Sequence, residues 1–193
     1  MKKREKIDIE SLPVRVLVIN LYLTQFISVG LAFILYLILH KMNPIEAIVS
    51  ILPGKLIQPV LVGFLFSLVV IVVDIILSKK LPEKWLDDGG INEKLFRHLP
   101  IWHIAIITVM VGFVEEFLFR GAVQSYLGVF LTSLIFTLIH FRYLKKWVLI
   151  SMTFLISLGL GYLVILTGQW ISAFVAHSMI DFVLGILIRK NWL

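Results

Sequence analysis

Residues 147 to 180 read WVLISMTFLISLGLGYLVILTGQWISAFVAHSMI, and His177 is the only residue among them able to carry a charge near neutral pH. The hydrocarbon core of a bilayer is crossed by about 20 mostly apolar helical residues. This stretch is therefore long enough for one span and most of a second, with Thr167-Gly168-Gln169 as a natural turn between them. It predicts membrane helices rather than a water-soluble core.

The rest of the chain repeats this pattern. Of its 193 residues, 60% are hydrophobic and 16% are charged, and the mean hydropathy is +1.00. Four further windows contain no Asp, Glu, Lys or Arg, namely 16–39, 56–73, 101–114 and 121–139. The first window is too long for a signal-peptide core and lacks a small-residue cleavage site near its end, so we expect a retained span. We predict an all-α, polytopic membrane helical bundle of about six transmembrane helices.

Positive charge is distributed unevenly along this chain, whose net charge is +6. Lysines and arginines collect on the cytoplasmic side of membrane proteins. All but three of the 18 lysines and arginines fall on one side of a six-span arrangement with both termini cytoplasmic, the exceptions being Lys41, Lys55 and Arg120. We therefore interpret the charge as topology. We expect a multi-pass protein of a cell membrane, with the lipid bilayer and no nucleic acid as its partner.

The chain has no cysteine, which excludes disulfides, thiolate zinc sites and a thiol nucleophile. Its longest polar segment, residues 79–100, is rich in turn-forming residues. Within a single membrane domain, this segment ends an N-terminal region, 1–100, with two transmembrane helices and a cytoplasmic loop. A four-helix core, 101–193, follows it, and we expect this core to carry the chemistry.

Ionisable groups inside a bilayer are costly and usually face a protein interior or a wet cavity. The sequence EEFLFR begins at Glu115 and places Glu116 and Arg120 four residues apart on one helical face, whereas Glu115 is turned by about 100°. Glu116 and Arg120 can neutralise each other as a structural pair. Glu115 then remains as a carboxylate without a local partner, which suits a general base.

Two later helices supply imidazoles and a second acid. His140 ends the sequence FTLIH, and HSMID places His177 and Asp181 on one helical face. A lone histidine in a membrane helix often makes only an interhelical hydrogen bond, but three helices that each bring acid or imidazole groups indicate a site. Asp74 lies about a turn from Lys79, so we interpret it as a charge at the membrane interface.

The depth of these groups depends on where the helix that carries EEFLFR turns. A turn at Gly121 would separate Glu115 from His140 by most of the membrane. If the helix instead continues to a turn near Gly128, both residues lie about 18 to 20 Å below that turn, at ~1.5 Å per residue. The histidine and aspartate of HSMID reach a similar layer. We favour this second arrangement, in which the four groups share one layer.

A carboxylate, two histidines and a second acid in an apolar cavity suit the attack of water on an amide. Glu115 would take the proton from water, His140 would position that water, and His177 would stabilise the oxyanion. A zinc version is equally open, with Glu115, His140 and His177 as ligands and water in the fourth position. The H-E-x-x-H signature of zincins is absent. Zinc is thus a possible cofactor, and no cofactor is implied with certainty.

The series EEFLFR, FTLIH and HSMID resembles the E-E-x-x-x-R, F-x-x-x-H and H-x-x-x-N/D motifs of the CPBP family of intramembrane peptidases. That family contains CAAX prenyl proteases and bacteriocin-processing enzymes, and the resemblance covers residues 101–188. It implies an all-helical membrane endopeptidase in which Glu115 and His140 activate water. It further implies that His177 and Asp181 support the tetrahedral intermediate and that Glu116 and Arg120 shape the site. Members are often called metalloproteases, although a metal-free glutamate mechanism has been argued for them.

The chain departs from the family pattern at Asp181, where many relatives carry Asn. An ionised carboxylate cannot donate a hydrogen bond to an oxyanion, so Asp181 would act protonated, orient His177 or join a metal site. With six predicted spans the chain is short for the family, and a prenylated CAAX protein is not an implied substrate. The chain looks more like bacterial members, which are linked to peptide maturation or bacteriocin self-immunity, and we expect a bacterial plasma membrane.

The sequence therefore favours an intramembrane endopeptidase acting on membrane-associated or leader-type peptides. One alternative is a non-catalytic immunity or scaffold protein that retains the peptidase fold. Another is a proton or ion carrier, because acids and histidines in membranes also form relays, although the chain lacks the paired repeats of many transporters. The sequence specifies neither the peptide that is cleaved nor the oligomeric state.

Overall fold

The computed structural model of the chain describes residues 12–51, 55–86 and 88–193, and for 48–51 the backbone alone. No strand occurs in these ranges, so the all-α prediction is confirmed. The basic run at residues 2–6, on which part of the topology prediction rests, lies outside them. The helices are α1 (Val14–His40), α2 (Pro44–Ile51), α3 (Ile57–Lys80), α4 (Glu83–Leu86), α5 (Ile91–His98), α6 (Ile101–Glu116), α7 (Gln124–Ile139), α8 (Trp147–Thr167) and α9 (Ile171–Arg189).

A π-helical segment, Phe117–Val123, continues α6 into α7 without a break. The chain nevertheless reverses inside α7, because Gly128 has φ 73° and ψ 170°, a conformation open to glycine but not to L side chains. After this turn the ring of Phe136 packs 5.0 Å from that of Phe119, measured between centroids. In an unbroken helix these rings would lie about 25 Å apart. The predicted turn near Gly128 is therefore confirmed.

Five helices in the described ranges, rather than six, are long and apolar enough to cross a bilayer. One of the five is the continuous segment Ile101–Ile139, of 39 residues. Its return arm after Gly128 is only roughly 16 Å long, about half of a bilayer core. This short arm accounts for the difference from the predicted count, and six spans with both termini cytoplasmic stay a prediction.

Large apolar side chains cover the outside of the bundle. Phe26, Val69 and Ile165 are each more than half exposed, and most charged residues of the described ranges lie near the ends of the long helices or in the segments between them. Such a surface is unusual for a soluble protein, in which large exposed apolar patches are rare. It suits contact with lipid, and the chain is a multi-pass membrane bundle.

Small residues set the distances between the central helices. A Cβ on Gly63 of α3 would overlap the carbonyl of Ser172 at the start of α9, and a Cβ on Gly112 of α6 would overlap Ser178 of α9. Close approach at small residues is the usual way in which membrane helices pack. Helix α9 therefore lies tightly between α3 and α6, which brings its polar face against the EEFLFR motif.

Candidate active site

The EEFLFR motif lies where α6 widens into the π-helical segment. Glu116 is the last residue of α6, and Arg120 lies in the π-helical segment. Arg120 Nε lies 3.1 Å from Glu116 Oε2, and Nη1 donates to Oε1 at 3.2 Å. Both side chains are completely buried. The predicted ion pair is confirmed, and π-helical turns of this kind are frequent at functional sites.

Arg120 also fastens the motif to two other helices. Its Nη2 donates to the hydroxyl of Ser157 at 2.8 Å and to the carbonyl of the same residue at 2.9 Å. Its guanidinium carbon lies 4.9 Å from the centroid of the Phe136 ring, a distance typical of cation–π contacts. A buried charge is tolerated only when it is paired and hydrogen-bonded. Arg120 meets this condition and joins α7 and α8 to the motif.

His177 lies between two carboxylates. Its Nδ1 is 2.7 Å from Glu116 Oε1, and its Nε2 is 3.4 Å from Asp181 Oδ2. The predicted contact with Asp181 on the same helical face is confirmed. The contact with Glu116 joins residues 61 positions apart in the sequence. Glu116 thus bridges Arg120 and His177, and this bond fixes which ring nitrogen of His177 faces Asp181.

His140 caps the return arm of α7. Its Nδ1 is 2.7 Å from the carbonyl oxygen of Phe136. A carbonyl oxygen only accepts hydrogen bonds, so Nδ1 must be the donor, and in the neutral ring Nε2 then carries the lone pair. The imidazole is half-buried and stacks on Tyr143, with 5.6 Å between centroids. The bond at Nδ1 holds His140 in place, and Nε2 remains available as an acceptor.

Glu115 is half-buried and makes no hydrogen bond or ion pair with any residue in the described ranges. It lines a cavity of about 800 Å³ together with His140, His177 and Asp181. The four residues therefore face one cavity, and their equal depth stays a prediction. Glu116, turned away by about 100°, is instead enclosed in the bundle with Arg120. The two adjacent carboxylates therefore have different surroundings.

The mouth of the cavity lies at the basic end of the bundle, where the ends of α3, α5 and α9 meet the loop after α7. Arg97 forms an ion pair with Glu93 at 3.0 Å, and Arg142 lies 3.7 Å from Asp88. Burial raises the pKa of Tyr143 and the charge of Asp88 adds to this shift, although nearby Arg142 lowers it. The phenol therefore stays protonated at neutral pH and keeps its O–H donor at the mouth.

Two buried polar residues that line the cavity, Asp74 and Gln25, are not among the predicted site residues. Asp74 of α3 is 8% exposed, so its interpretation as an interfacial charge is wrong. The nearby Lys79, which suggested that interpretation, is exposed and makes no ion pair within the part of the chain that the structure describes. Gln25 of α1 is 6% exposed, and its Oε1 has no hydrogen-bond partner there. Gln25 has no formal charge, whereas the predicted site consists of ionisable residues only.

The predicted zinc ligands do not form a ready site. Across residues 12–51, 55–86 and 88–193, no three His, Asp or Glu side chains are grouped as metal ligands. Both ring nitrogens of His177 already face carboxylate oxygens, so this histidine would have to give up one of those contacts to bind a metal. The donor set Glu115, His140 and His177 therefore does not fit zinc as it stands, and the zinc ligation stays a prediction.

Comparison with known proteins agrees with the motif series. A family model described as type II CAAX prenyl endopeptidase Rce1-like matches residues 97–183, which include every predicted site residue. The chain is 42% identical over 127 residues to the uncharacterized protein YpbD of Bacillus subtilis (strain 168), covering 66% of this chain and 67% of that protein. No solved structure matches the chain. By these similarities the chain belongs to the CPBP family of intramembrane proteases, in its Rce1-like group.

Proposed function

We propose that this chain is an endopeptidase that hydrolyses membrane-associated or leader-type peptides inside the cavity, with water activated by Glu115. The observation that carries the proposal is the environment of Glu115. Its carboxylate has no bonded partner in the described ranges, and it shares the cavity with His140, whose Nε2 is left as an acceptor. A general base must be free to take a proton and close to the water it activates.

The proposed reaction begins with a water molecule held between Glu115 and His140. Glu115 takes one proton as the water oxygen bonds to the carbonyl carbon of the peptide, and the carbonyl oxygen becomes an oxyanion. The tetrahedral intermediate then collapses, the C–N bond breaks, and Glu115 returns the proton to the leaving amine. Acid–base catalysis of this kind contributes typically 10²- to 10⁴-fold to a rate.

His177 is the proposed oxyanion donor. Glu116 holds Nδ1, so Nε2 is the nitrogen on the side of Asp181 and the cavity. The Nε2–Asp181 distance of 3.4 Å exceeds the roughly 2.7–2.9 Å of a strong charge-assisted hydrogen bond. Because Nδ1–H is donated to Glu116, His177 carries an Nε2–H only as the imidazolium, a charge that the carboxylates of Glu116 and Asp181 stabilise. That Nε2–H, in its weak contact with Asp181, is available to the developing oxyanion. Asp181 then orients the ring, which gives a role to a carboxylate where relatives carry Asn.

No step of this mechanism is assigned to a metal, since the zinc ligand set is not grouped in the described ranges. Peptides of the proposed class arise in bacteriocin maturation and self-immunity, and the bacterial plasma membrane would present them to the cavity. A non-catalytic immunity or scaffold role would need the same fold but no free base. The unpartnered Glu115 favours catalysis over that alternative.

The test is cleavage of a peptide library by the purified chain in lipid nanodiscs, with products mapped by mass spectrometry. Glu115→Gln removes the base but keeps the shape of the side chain, so we expect the rate to fall about 10²- to 10⁴-fold. Glu46→Gln makes the same change on the exposed helix α2 outside the cavity and serves as the matched control.

Cleavage that persists unchanged in Glu115→Gln would remove the proposed base. A preparation that cleaves no peptide but forms a complex with one, in both variants, would instead support the scaffold role. Proton or ion flux through liposomes containing the chain tests the carrier alternative, for which we expect no signal above empty liposomes.

A further inference from the structure

Asp74 is a buried carboxylate that the proposed mechanism does not use. The residue is 8% exposed, lines the cavity, and makes no hydrogen bond or ion pair with any residue that the structure describes. Ser78 bonds only the backbone carbonyl of Asp74. A buried charge without a partner is costly, and in a membrane protein such a group usually faces a functional cavity. Asp74 therefore indicates a ligand that the structure does not contain.

Asp181 lies at nearly the same depth as Asp74 on the neighbouring helix. The close contact of Gly63 with Ser172 fixes α3 against α9, and Ile71 packs on Ile180 further along both helices, so the two helices run parallel. Asp74 lies roughly 16 Å beyond the first contact and Asp181 roughly 14 Å beyond it. Both carboxylates line the same cavity. They are therefore two acids facing one space from adjacent helices.

Apart from Lys79, which is exposed and makes no ion pair in the described ranges, the cations around this space are already engaged. Arg120 is enclosed with Glu116, and His177 lies between Glu116 and Asp181. At the mouth, the two lining arginines contact carboxylates of their own. Within the described ranges no cation lies within ion-pair distance of Asp74, although the whole chain carries a net charge of +6.

Gln25 supplies a second and independent sign of a missing ligand. It projects from α1 into the same cavity, is 94% buried, and its Oε1 has no hydrogen-bond donor among the described residues. A buried acceptor left without a donor costs about 1–3 kcal/mol. Gln25 and Asp74 are both acceptors. The ligand that satisfies them donates hydrogen bonds, and the carboxylate selects one with a positive charge.

We propose that Asp74, with Asp181 on the neighbouring helix and Gln25 on the lining of the same cavity, forms a subsite for a lysine or arginine side chain of the bound peptide. The inference rests on the proposed function only in taking the bound peptide as the substrate. Asp181 lies one helical turn, about 6 Å, from His177, and an extended peptide advances about 3.3 Å per residue. The basic residue therefore lies within about two positions of the cleaved bond.

Binding and cleavage are measured separately, so that the two proposals can fail independently. The binding protein is the Glu115→Gln variant in nanodiscs of zwitterionic phosphatidylcholine, which do not attract cationic peptides by charge. The probes are a short apolar peptide with one arginine and the same peptide with citrulline, which keeps the shape but lacks the charge. We expect the arginine peptide to bind about tenfold more tightly, the size of one charge-assisted hydrogen bond.

Three substitutions in that background identify the group responsible. Asp74→Asn should bring the ratio of the two dissociation constants close to one, whereas Asp74→Glu keeps the charge and should retain the preference. Glu83→Gln removes an exposed carboxylate from the cavity lining and should leave the ratio unchanged. Asp74→Glu changes the same buried position but keeps the negative charge. A preference that is lost in Asp74→Asn and kept in Asp74→Glu is therefore due to the charge and not to disturbed packing.

A ratio near one in the starting protein, or a preference that survives Asp74→Asn, would overturn the subsite. Cleavage by the unmodified chain without enrichment of lysine or arginine near the cut would overturn it as well and would leave the peptidase standing. An arginine preference that depends on Asp74, in a chain that cleaves no peptide of the library, would support the subsite and count against the proposed catalysis.

Discussion

Two adjacent groups of polar residues inside the bundle differ in whether their side chains are hydrogen-bonded within the protein. Behind the cavity wall, Glu116, Arg120 and Ser157 contact one another and His177 through four bonds of 2.7–3.2 Å. On the cavity side, Glu115 and Asp74 make no hydrogen bond or ion pair with any described residue, and Gln25 Oε1 has no donor there. Buried polar groups in folded proteins are nearly always hydrogen-bonded. The first group therefore stabilises the fold around the site. The second group is left open to the water and the peptide of the proposed reaction.

The largest effect on stability should come from Arg120→Met, which leaves the carboxylate of Glu116 buried and without its cation. Breaking a buried pair by removing one partner costs about 3–5 kcal/mol, and we expect that loss in the free energy of unfolding, measured by denaturant titration in micelles. Arg142→Met is the matched control. Its contact with Asp88 is 3.7 Å long and partly exposed, so we expect a change of less than about 1 kcal/mol. Equal losses in both variants would contradict the comparison.

A smaller effect is expected from Gly112→Ala, which pushes α6 away from α9. The added Cβ would overlap Ser178, and overpacking of this kind costs about 1–3 kcal/mol. Because this contact holds Glu116 against His177, peptide cleavage should fall together with thermal stability. Gly30→Ala, on α1, is the matched control. Its added Cβ has no neighbouring atom within 4 Å, so the free energy of unfolding should stay equal or rise slightly. Unchanged cleavage in Gly112→Ala would show that the position of His177 on α9 does not depend on the contact between Gly112 and Ser178.

Ser157→Ala should weaken the scaffold by less. The substitution removes the hydroxyl that accepts from Arg120 at 2.8 Å but keeps the carbonyl that accepts at 2.9 Å. We expect a loss of about 1 kcal/mol in the free energy of unfolding. Ser67→Ala removes a buried hydroxyl that bonds only its own helix, at Phe64, and should cost less than Ser157→Ala. The reverse order would mean that Arg120 does not rely on Ser157.

The smallest effect is expected on removing metal. Both nitrogens of His177 face carboxylates, and the proposed reaction uses water, Glu115 and His140. We therefore expect chelator-washed protein, with its zinc content measured by elemental analysis, to cleave peptides at the original rate. Activity that disappears on chelation and returns with zinc would move Glu115 from the base to a ligand, and the unpartnered groups would then await a metal.

Much of the site follows from local spacing in the sequence. The i, i+4 relation predicts both Glu116 with Arg120 and His177 with Asp181, because the geometry of a helix alone brings these side chains together. The reversal at Gly128 follows from equal lengths of helix on either side of a glycine able to take a positive φ. That turn is sufficient to predict that His140 lies level with Glu115.

Three features depend on contacts between distant helices, and sequence spacing does not predict them. The Glu116–His177 bond joins α6 to α9. It can form because Gly112 of α6 lets this helix lie close to Ser178 of α9. Asp74 is buried because α3 packs against α9, although its neighbours in the sequence indicate an interface. The number of spans also depends on the return arm of α7, whose length is set by where the chain bends.

The sequence by itself determined a helical membrane bundle, its membership of a protease family and the polar residues of the site, because hydropathy and the period of the helix are local properties. Only the tertiary structure decided which of those residues are satisfied by one another and which remain open to the cavity. A buried hydrogen bond depends on positions to within a few tenths of an ångström. Such positions come from the packing of helices far apart in the chain.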